Sequence, residues 1–246
     1  DCLVGSEMCI RDSIKSLYTK KGRLKNNSFI IEGKRSLLTA IHSRVNIKNI
    51  VLNKSFIEKN NNLAIYSKYK TSIIDDKCFG QLSQVDSPPG ILAEAAIPLN
   101  NKLNSDFPLV YLDQISNPGN LGTIIRTCDW FGIKQIGISP NSVEFYNPKV
   151  VRSSMGSHFN MKYLGMPNSE DLNKFNLIGA DFNKGKNIND ISSPKNWGLV
   201  MGSEASGISK TMNKKISSYV KIEKFGKGES LNIGVAMGIV LHRFTN

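Results

Sequence analysis

Asn117-Pro118-Gly119-Asn120-Leu121-Gly122-Thr123-Ile124-Ile125-Arg126 is the stretch around which the chain is organised. It follows Leu109-Val110-Tyr111-Leu112, a short apolar run that reads as a buried strand. Asn117, Pro118 and Gly119 are turn formers. From Leu121 a helical period takes over, with Leu121, Ile124, Ile125 and Cys128 on one face. Gly122, Arg126 and Asp129 fall on another face, at spacings of four and three. The expectation is strand, tight amide-bearing loop, and a helix presenting one arginine. Taken alone, this could equally be a packed turn with a solvated arginine.

Two more loops share its character. The run Trp197-Gly198-Leu199-Val200-Met201 reads as a buried strand and leads into Gly202-Ser203-Glu204-Ala205-Ser206-Gly207. Tyr219-Val220-Lys221-Ile222 reads as a last strand, followed by the loop Glu223 to Asn232. The segment from Ser230 to Phe244 is predicted to be the closing helix. All three loops sit at the C-terminal ends of predicted strands, where open α/β sheets bind ligands. Their glycines let a ligand approach the backbone closely.

Other chemistries lack their signatures. There is no GxxxxGK[ST] phosphate loop and no HExxH metal helix. Gly226-Lys227-Gly228 begins like a dinucleotide fingerprint, but Leu231 stands where the third glycine belongs. His42, His158 and His242 are scattered and read as structural. No metal site is expected.

The 246 residues carry a formal net charge of +12. Fifteen Lys and Arg face six Asp and Glu between residues 14 and 105, against sixteen and eleven from 106 onward. The first part is the more basic, and nucleic acid is the natural partner for such a charge. A lysine-rich, asparagine-rich proteome gives the blander account. A hydrophobic content of 40% suffices for ordinary cores. No apolar run is long enough to span a bilayer, so no membrane partner is expected.

Leu3-Val4-Gly5-Ser6-Glu7-Met8-Cys9-Ile10-Arg11-Asp12-Ser13 resembles a translated frame of a transposase sequencing adaptor. Residues 1–13 are therefore read as an artefact or a disordered tail, outside the fold. Cys78 and Cys128 then remain, without CxxC spacing, which fits a reduced, cytoplasmic protein. Cys128 lies on an apolar helix face and reads as core.

Residues 14–100 alternate short strands and helices, a small basic α/β layer. Strands are predicted at Phe29–Gly33, Ile47–Leu52, Ala64–Tyr66 and Gly90–Ala95. Residues 101–107, rich in Asn, Ser and Lys, read as a linker. Residues 108–246 form a second α/β domain. Within it, Asn147-Pro148 opens a helix and His158 to Leu164 alternates as a strand.

The three loops carry a family resemblance. Asn117 to Gly122 with Arg126, then Leu199 to Ile208, then Ile222 with Glu229-Ser230-Leu231-Asn232-Ile233-Gly234-Val235-Ala236, resemble the three motifs of the SpoU (TrmH-type) RNA 2′-O-ribose methyltransferases of the SPOUT superfamily. Val151 to Phe159 is similar to an intermediate pattern of that family. Residues 14–100 are similar to its N-terminal RNA substrate-binding domain. The resemblance implies an α/β SPOUT domain with a C-terminal trefoil knot, S-adenosyl-L-methionine as cofactor, and a homodimer whose partner completes the site. It places cofactor binding at Gly202, Ile222 and Leu231. It assigns catalysis to Arg126, with Asn120, Glu204, Ser230 and Asn232 orienting the arginine, the ribose and the cofactor.

The implied reaction is methyl transfer to a ribose 2′-hydroxyl of structured RNA, which requires alignment and removal of the hydroxyl proton. A guanidinium holds its proton across the ordinary pH range, so Arg126 is expected to clamp a phosphate and polarise the hydroxyl. Ser230 could instead be a helix N-cap. One departure stands out: Glu223 and Lys224 replace the Pro and apolar residue that usually follow the motif's isoleucine. Gly234 stands where the family often has Ser. The expected substrate is 23S ribosomal RNA, with transfer RNA as the alternative. The rival from another class is a non-catalytic RNA-binding or ribosome-assembly protein that kept the shell.

Overall fold

The computed structural model describes residues 10–99 and 101–246. The expected tail lies outside the described residues for positions 1–9, as does Asn100. Residues 10–13 are helical and belong to a first helix, α1 (10–16). Next come α2 (Lys20–Asn26), β1 (Ser28–Glu32), α3 (Lys34–His42), β2 (Ile47–Asn53), α4 (Lys54–Lys59), β3 (Thr71–Ile74), α5 (Asp76–Leu82) and β4 (Ile91–Ala96). Then follow β5 (Leu109–Asp113), α6 (Pro118–Trp130), β6 (Gln135–Ile138), α7 (Pro148–Ser153), β7 (Lys162–Tyr163), α8 (Ser169–Leu172), β8 (Asn176–Ala180), β9 (Lys186–Asn187), β10 (Trp197–Gly202), α9 (Lys210–Asn213), β11 (Ser218–Lys221) and α10 (Ile233–Thr245).

By their contacts these elements form two units. One takes the chain up to Pro98 together with Tyr146–Phe159, and the other takes Leu99–Phe145 with Asn160–Asn246. The segment Tyr146–Phe159 thus packs with the first unit, although sequence alone places it within 108–246. Among the described residues, no helix is long and apolar enough to cross a membrane.

The first unit holds a four-stranded sheet in the order β1-β4-β2-β3. β4 runs antiparallel to β1 and β2, and β2 pairs parallel with β3. Ile14, Leu17, Ile30, Val51, Phe79 and Leu92 build its core, and Ile10 packs against it. Arg23, one of the basic residues of the first part, is buried, and its Nη1 donates to the Leu17 carbonyl at 2.8 Å. In the segment Tyr146–Phe159, His158 is buried among Phe29, Tyr146 and Phe159, with ring centroids 5.3–5.8 Å away.

Two predicted strands are corrected. Ala64–Tyr66 is a series of turns, closed by the Tyr66 amide on the Leu63 carbonyl at 2.9 Å and the Tyr69 amide on the Tyr66 carbonyl at 3.0 Å. The apolar side chain there is a buried anchor, Tyr66, its ring tilted against Phe56 with centroids 6.4 Å apart. The third strand lies later, at Thr71–Ile74. His158 to Leu164 is a 3-10 turn, Ser157–Asn160, followed by a two-residue strand. Met155 and Gly156 both take positive φ, which turns the chain before any strand can extend.

The second unit holds a seven-stranded parallel sheet in the order β7-β6-β5-β10-β8-β11-β9. Its central strands are buried throughout, so they read as continuous apolar runs. Leu109, Tyr111, Leu177, Val200, Ile208 and Met212 form one core cluster. Each fully buried aliphatic side chain contributes about 1.5–3 kcal/mol. The 101–107 segment is tied to β6: buried Gln135 donates from Nε2 to the carbonyls of Asn104 at 2.7 Å and Phe107 at 2.9 Å.

Helix α6 starts at Pro118, earlier than its apolar period suggests, because Asn117 caps it by accepting from the Gly119 amide at 2.8 Å. Its buried residues are Leu121, Ile124, Ile125 and Cys128, as the period predicts, and also Gly122, which the period places on the face of Arg126. Burial raises the Cys128 thiol far above its ordinary value. Helix α10 packs on α6 through a close approach at Gly234. A Cβ there would lie 2.7 Å from Thr123 Cγ2. That contact explains glycine at a position where the family often carries serine.

Candidate active site

β5 and β10 are neighbours in parallel register, with Gly202 opposite Asp113. Their loops therefore leave the sheet side by side. After Gly202 the chain folds back on itself: Ser203 and Gly207 exchange backbone hydrogen bonds at 2.9 and 3.0 Å. Gly202 is forced by this turn, because a Cβ would sit 2.2 Å from the Gly207 carbonyl carbon. Asp113, buried at the end of β5, accepts from the Ser209 amide at 2.8 Å and anchors the far end of the loop. Tyr111, two residues earlier, has its phenol pushed up to about 12 by burial and by the Asp113 carboxylate.

Three side chains from the three loops meet here. Asn120 Nδ2 donates to Glu204 Oε1 at 3.0 Å. Asn232 Nδ2 donates to Asn120 Oδ1 at 3.1 Å and to Glu204 Oε1 at 3.3 Å. The Ile233 amide completes the set, reaching the same Glu204 oxygen at 3.2 Å. One carboxylate oxygen thus collects three donors from two other segments. Asn232 also caps α10, its Oδ1 accepting from the Gly234 amide at 2.9 Å. The closing helix accordingly starts at Ile233, not at Ser230, and Ser230 is not its cap.

Two cavities open on this junction. The larger, about 910 Å³, is lined by Gly202, Glu204, Ile222, Ser230 and Leu231 among others. The smaller, about 450 Å³, is lined by Gln114, Asn117, Asn120, Asn141 and the Ser203–Ser206 turn. Ser203, Glu204, Ala205, Ser206 and Ile233 border both. The residues named for the cofactor, Gly202, Ile222 and Leu231, therefore fall on one cavity, and Ser230 joins them. Arg126 does not join them. It is exposed on α6, lines neither cavity, and its side chain makes no hydrogen bond or ion pair among the described residues.

Glu223, the departure from the family pattern, has a structural role. Its Oε2 accepts from Asn187 Nδ2 at 2.7 Å, tying the loop after β11 to the end of β9. A proline would restrain this loop through φ; here a cross-strand hydrogen bond restrains it instead. Asp113 and Asn187 at strand ends, and Gln114 and Asn141 in the loops after strands, all shape the site without a sequence signal beyond being polar.

The profile of the SpoU rRNA Methylase family matches residues 108–242. The chain belongs to that family. A second profile, the MRM3-like substrate binding domain, matches residues 12–93 of this SpoU-family chain. The 23S rRNA (guanosine(2553)-2′-O)-methyltransferase RlmP of Bacillus subtilis is 28% identical to it over 237 residues, covering 93% of this chain and 92% of that protein. The 23S rRNA (uridine(2479)-2′-O)-methyltransferase of Streptomyces viridochromogenes is 26% identical over 172 residues, 64% of this chain and 60% of that one. Among solved structures, the SpoU methyltransferase AviRb of S. viridochromogenes in complex with AdoMet matches with a TM-score of 0.84 at 21% identity, over 96% of both chains. AdoMet-bound rRNA methyltransferase from Sinorhizobium meliloti matches with a TM-score of 0.82 at 24% identity, over 95% of this chain and 93% of that one. The α/β fold with its parallel sheet is that of SpoU methyltransferases.

Proposed function

We propose that this chain is an S-adenosylmethionine-dependent methyltransferase acting on a ribose 2′-hydroxyl of ribosomal RNA, with 23S RNA as the substrate. The observation that carries the reading is Glu204, held by Asn120 and Asn232, on the wall shared by two cavities. A reaction between two bound partners needs two adjoining pockets with fixed groups at the boundary.

The larger cavity fits the cofactor in chemistry and size. Small-molecule sites run from about 300 to 1,000 Å³. Met201, Ile208, Ile222, Leu231 and Val240 give apolar walls for a purine, and the carboxylates of Glu204, Glu223 and Glu229 suit a positively charged sulfonium. Lys184 and Lys224, on the same cavity, suit an amino-acid carboxylate. Bound there, S-adenosylmethionine supplies an electrophilic methyl group. Gly202, Ile222 and Leu231 would hold it. Asn120 and Asn232 hold Glu204 in place, and Ser230 supplies a free hydroxyl to the cavity.

Arg126 is assigned to the RNA: a guanidinium clamps a phosphate and polarises the 2′-hydroxyl. Its outward position on α6 supports a site completed by a second copy. Trp130, Val235 and Ile239, on α6 and α10, are 86%, 53% and 38% exposed and would cover one another in a homodimer. The chain after β11 must cross back over β8 and β10 to seat α10 on α6, which supports the trefoil knot. The basic 14–100 region would hold RNA by phosphate contacts, and a ribosomal RNA substrate supports a cytoplasmic location.

Titration calorimetry with S-adenosylmethionine, followed by transfer of a labelled methyl group to ribosomal RNA, tests the reading. Micromolar binding and 2′-O-methyl product are expected. No binding at millimolar cofactor would establish the non-catalytic alternative.

A further inference from the structure

We infer that the smaller cavity seats the base of the target nucleotide and that Gln114 is the side chain that reads it. This rests on the proposed methyl transfer and adds to it a specificity determinant.

The cavity's chemistry selects a base over a phosphate. Among the described residues its wall carries no Lys, Arg or His, and its one charged group is the Glu204 carboxylate, which repels anions. What it does carry is amides: Gln114, Asn117, Asn120 and Asn141. An amide presents a donor and an acceptor side by side, the pattern that pairs with a base edge. RNA enzymes reach such edges in unpaired nucleotides splayed out of the stack.

Two of the four amides are committed. Asn117 Oδ1 accepts from the Gly119 and Asn120 amides at 2.8 and 3.3 Å, capping α6. Asn120 spends its nitrogen on Glu204 and its oxygen on Asn232. The side chains of Gln114 and Asn141 make no hydrogen bond among the described residues, so their donors and acceptors are available to a ligand.

The backbone sharpens the choice. Gln114 has φ +60° and Asn141 φ +65°, both in the left-handed region. Asparagine tolerates that region through its short polar side chain, but glutamine gains no such help. A turn needing only that backbone would be served with less strain by glycine. Glutamine at this position therefore points to a use for its amide.

The two residues are also held fast relative to each other. The Gln114 amide donates to Ser139 Oγ at 2.7 Å and the Ile115 amide to Ser142 Oγ at 3.1 Å. The Val143 amide returns to the Ile115 carbonyl at 2.7 Å. These bonds staple the loop after β5 to the loop after β6. The free amides project from a braced edge, which is what discrimination between bases requires.

The test uses the full chain, S-adenosylmethionine and in vitro transcripts of 23S ribosomal RNA. Once the methylated position is mapped, transcripts carrying each of the four bases there are compared. The wild type is expected to favour one base by at least tenfold in kcat/KM. Gln114→Gly accepts the left-handed backbone and removes only the amide. It is expected to keep its Tm and bind S-adenosylmethionine within twofold of wild type, while the preference collapses at least tenfold. Asn141→Gly is the second variant and should lose part of the same preference. An active wild type that treats all four bases alike overturns the inference, as does a Gln114→Gly enzyme with the wild-type preference. A wild type that transfers no methyl group while binding the cofactor overturns the proposed function, and this assignment falls with it.

Discussion

Asn120 Nδ2 donates to Glu204 Oε1 at 3.0 Å, joining residues 84 positions apart. Because the same oxygen accepts from Asn232 and from the Ile233 amide, one carboxylate fixes the mutual position of three loops. Hydrogen bonds to a charged group are the stronger kind, but Glu204 is exposed and water screens them, so they set loop position more than global stability.

Glu204→Ala should therefore cut methyl transfer by at least about a hundredfold and weaken cofactor binding, with little change in Tm because Glu204 is exposed. Glu204→Gln keeps an acceptor at the same place and should retain more activity than the alanine variant. Steady-state kinetics and calorimetry on both variants check the order.

Gly234→Ser, a change toward the family's usual residue, should destabilise this chain. Its new Cβ would lie 2.7 Å from Thr123 Cγ2, so α10 or Thr123 must shift, at a cost of about 1–3 kcal/mol. Pairing it with Thr123→Ala should recover most of the loss. Thermal unfolding of the single and double variants reads the coupling.

Glu223→Ala and Asn187→Ala should each weaken S-adenosylmethionine binding several-fold by freeing the loop after β11. Both act through one bond, Asn187 Nδ2 to Glu223 Oε2, so the double variant should be no worse than either single variant. Calorimetric dissociation constants for the three proteins decide it.

Alkaline stability should depend on Tyr111. Burial holds its phenol neutral in the folded chain up to about 12, while an unfolded tyrosine ionises near 10. The raised folded value means its contribution is complete below about pH 10 and is lost as pH rises toward about 12, of order 1–3 kcal/mol. Tyr111→Phe removes that titration, so its denaturant midpoint should fall less steeply than wild type between pH 10 and pH 12.

Much of this site was legible in the sequence, for a physical reason. In a parallel sheet every loop after a strand's C-terminal end opens on one edge, so glycine- and amide-rich loops after Leu112, Met201 and Lys221 had to be candidates for one site. What could not be read was adjacency: nothing in the residues says that β10 pairs with β5 across so much intervening chain. The start of α10 was equally hidden. Ser230 and Asn232 are both good N-caps, and the structure chose Asn232, with Gly234 against Thr123 just beyond it. Gln114 was missed because a left-handed glutamine leaves no mark on the sequence. Ala64–Tyr66 was misread because one buried tyrosine in a turn imitates a short strand.

Transfer of a methyl group to a ribose 2′-oxygen of ribosomal RNA marks one nucleotide in the cell. The most direct measurement is a map of 2′-O-methyl nucleotides in ribosomal RNA from cells with the gene, without it, and complemented with wild type or Glu204→Ala. One 23S position is expected to lose its methyl group on deletion, regain it with wild type, and stay bare with Glu204→Ala. Identical maps in all four strains would contradict it.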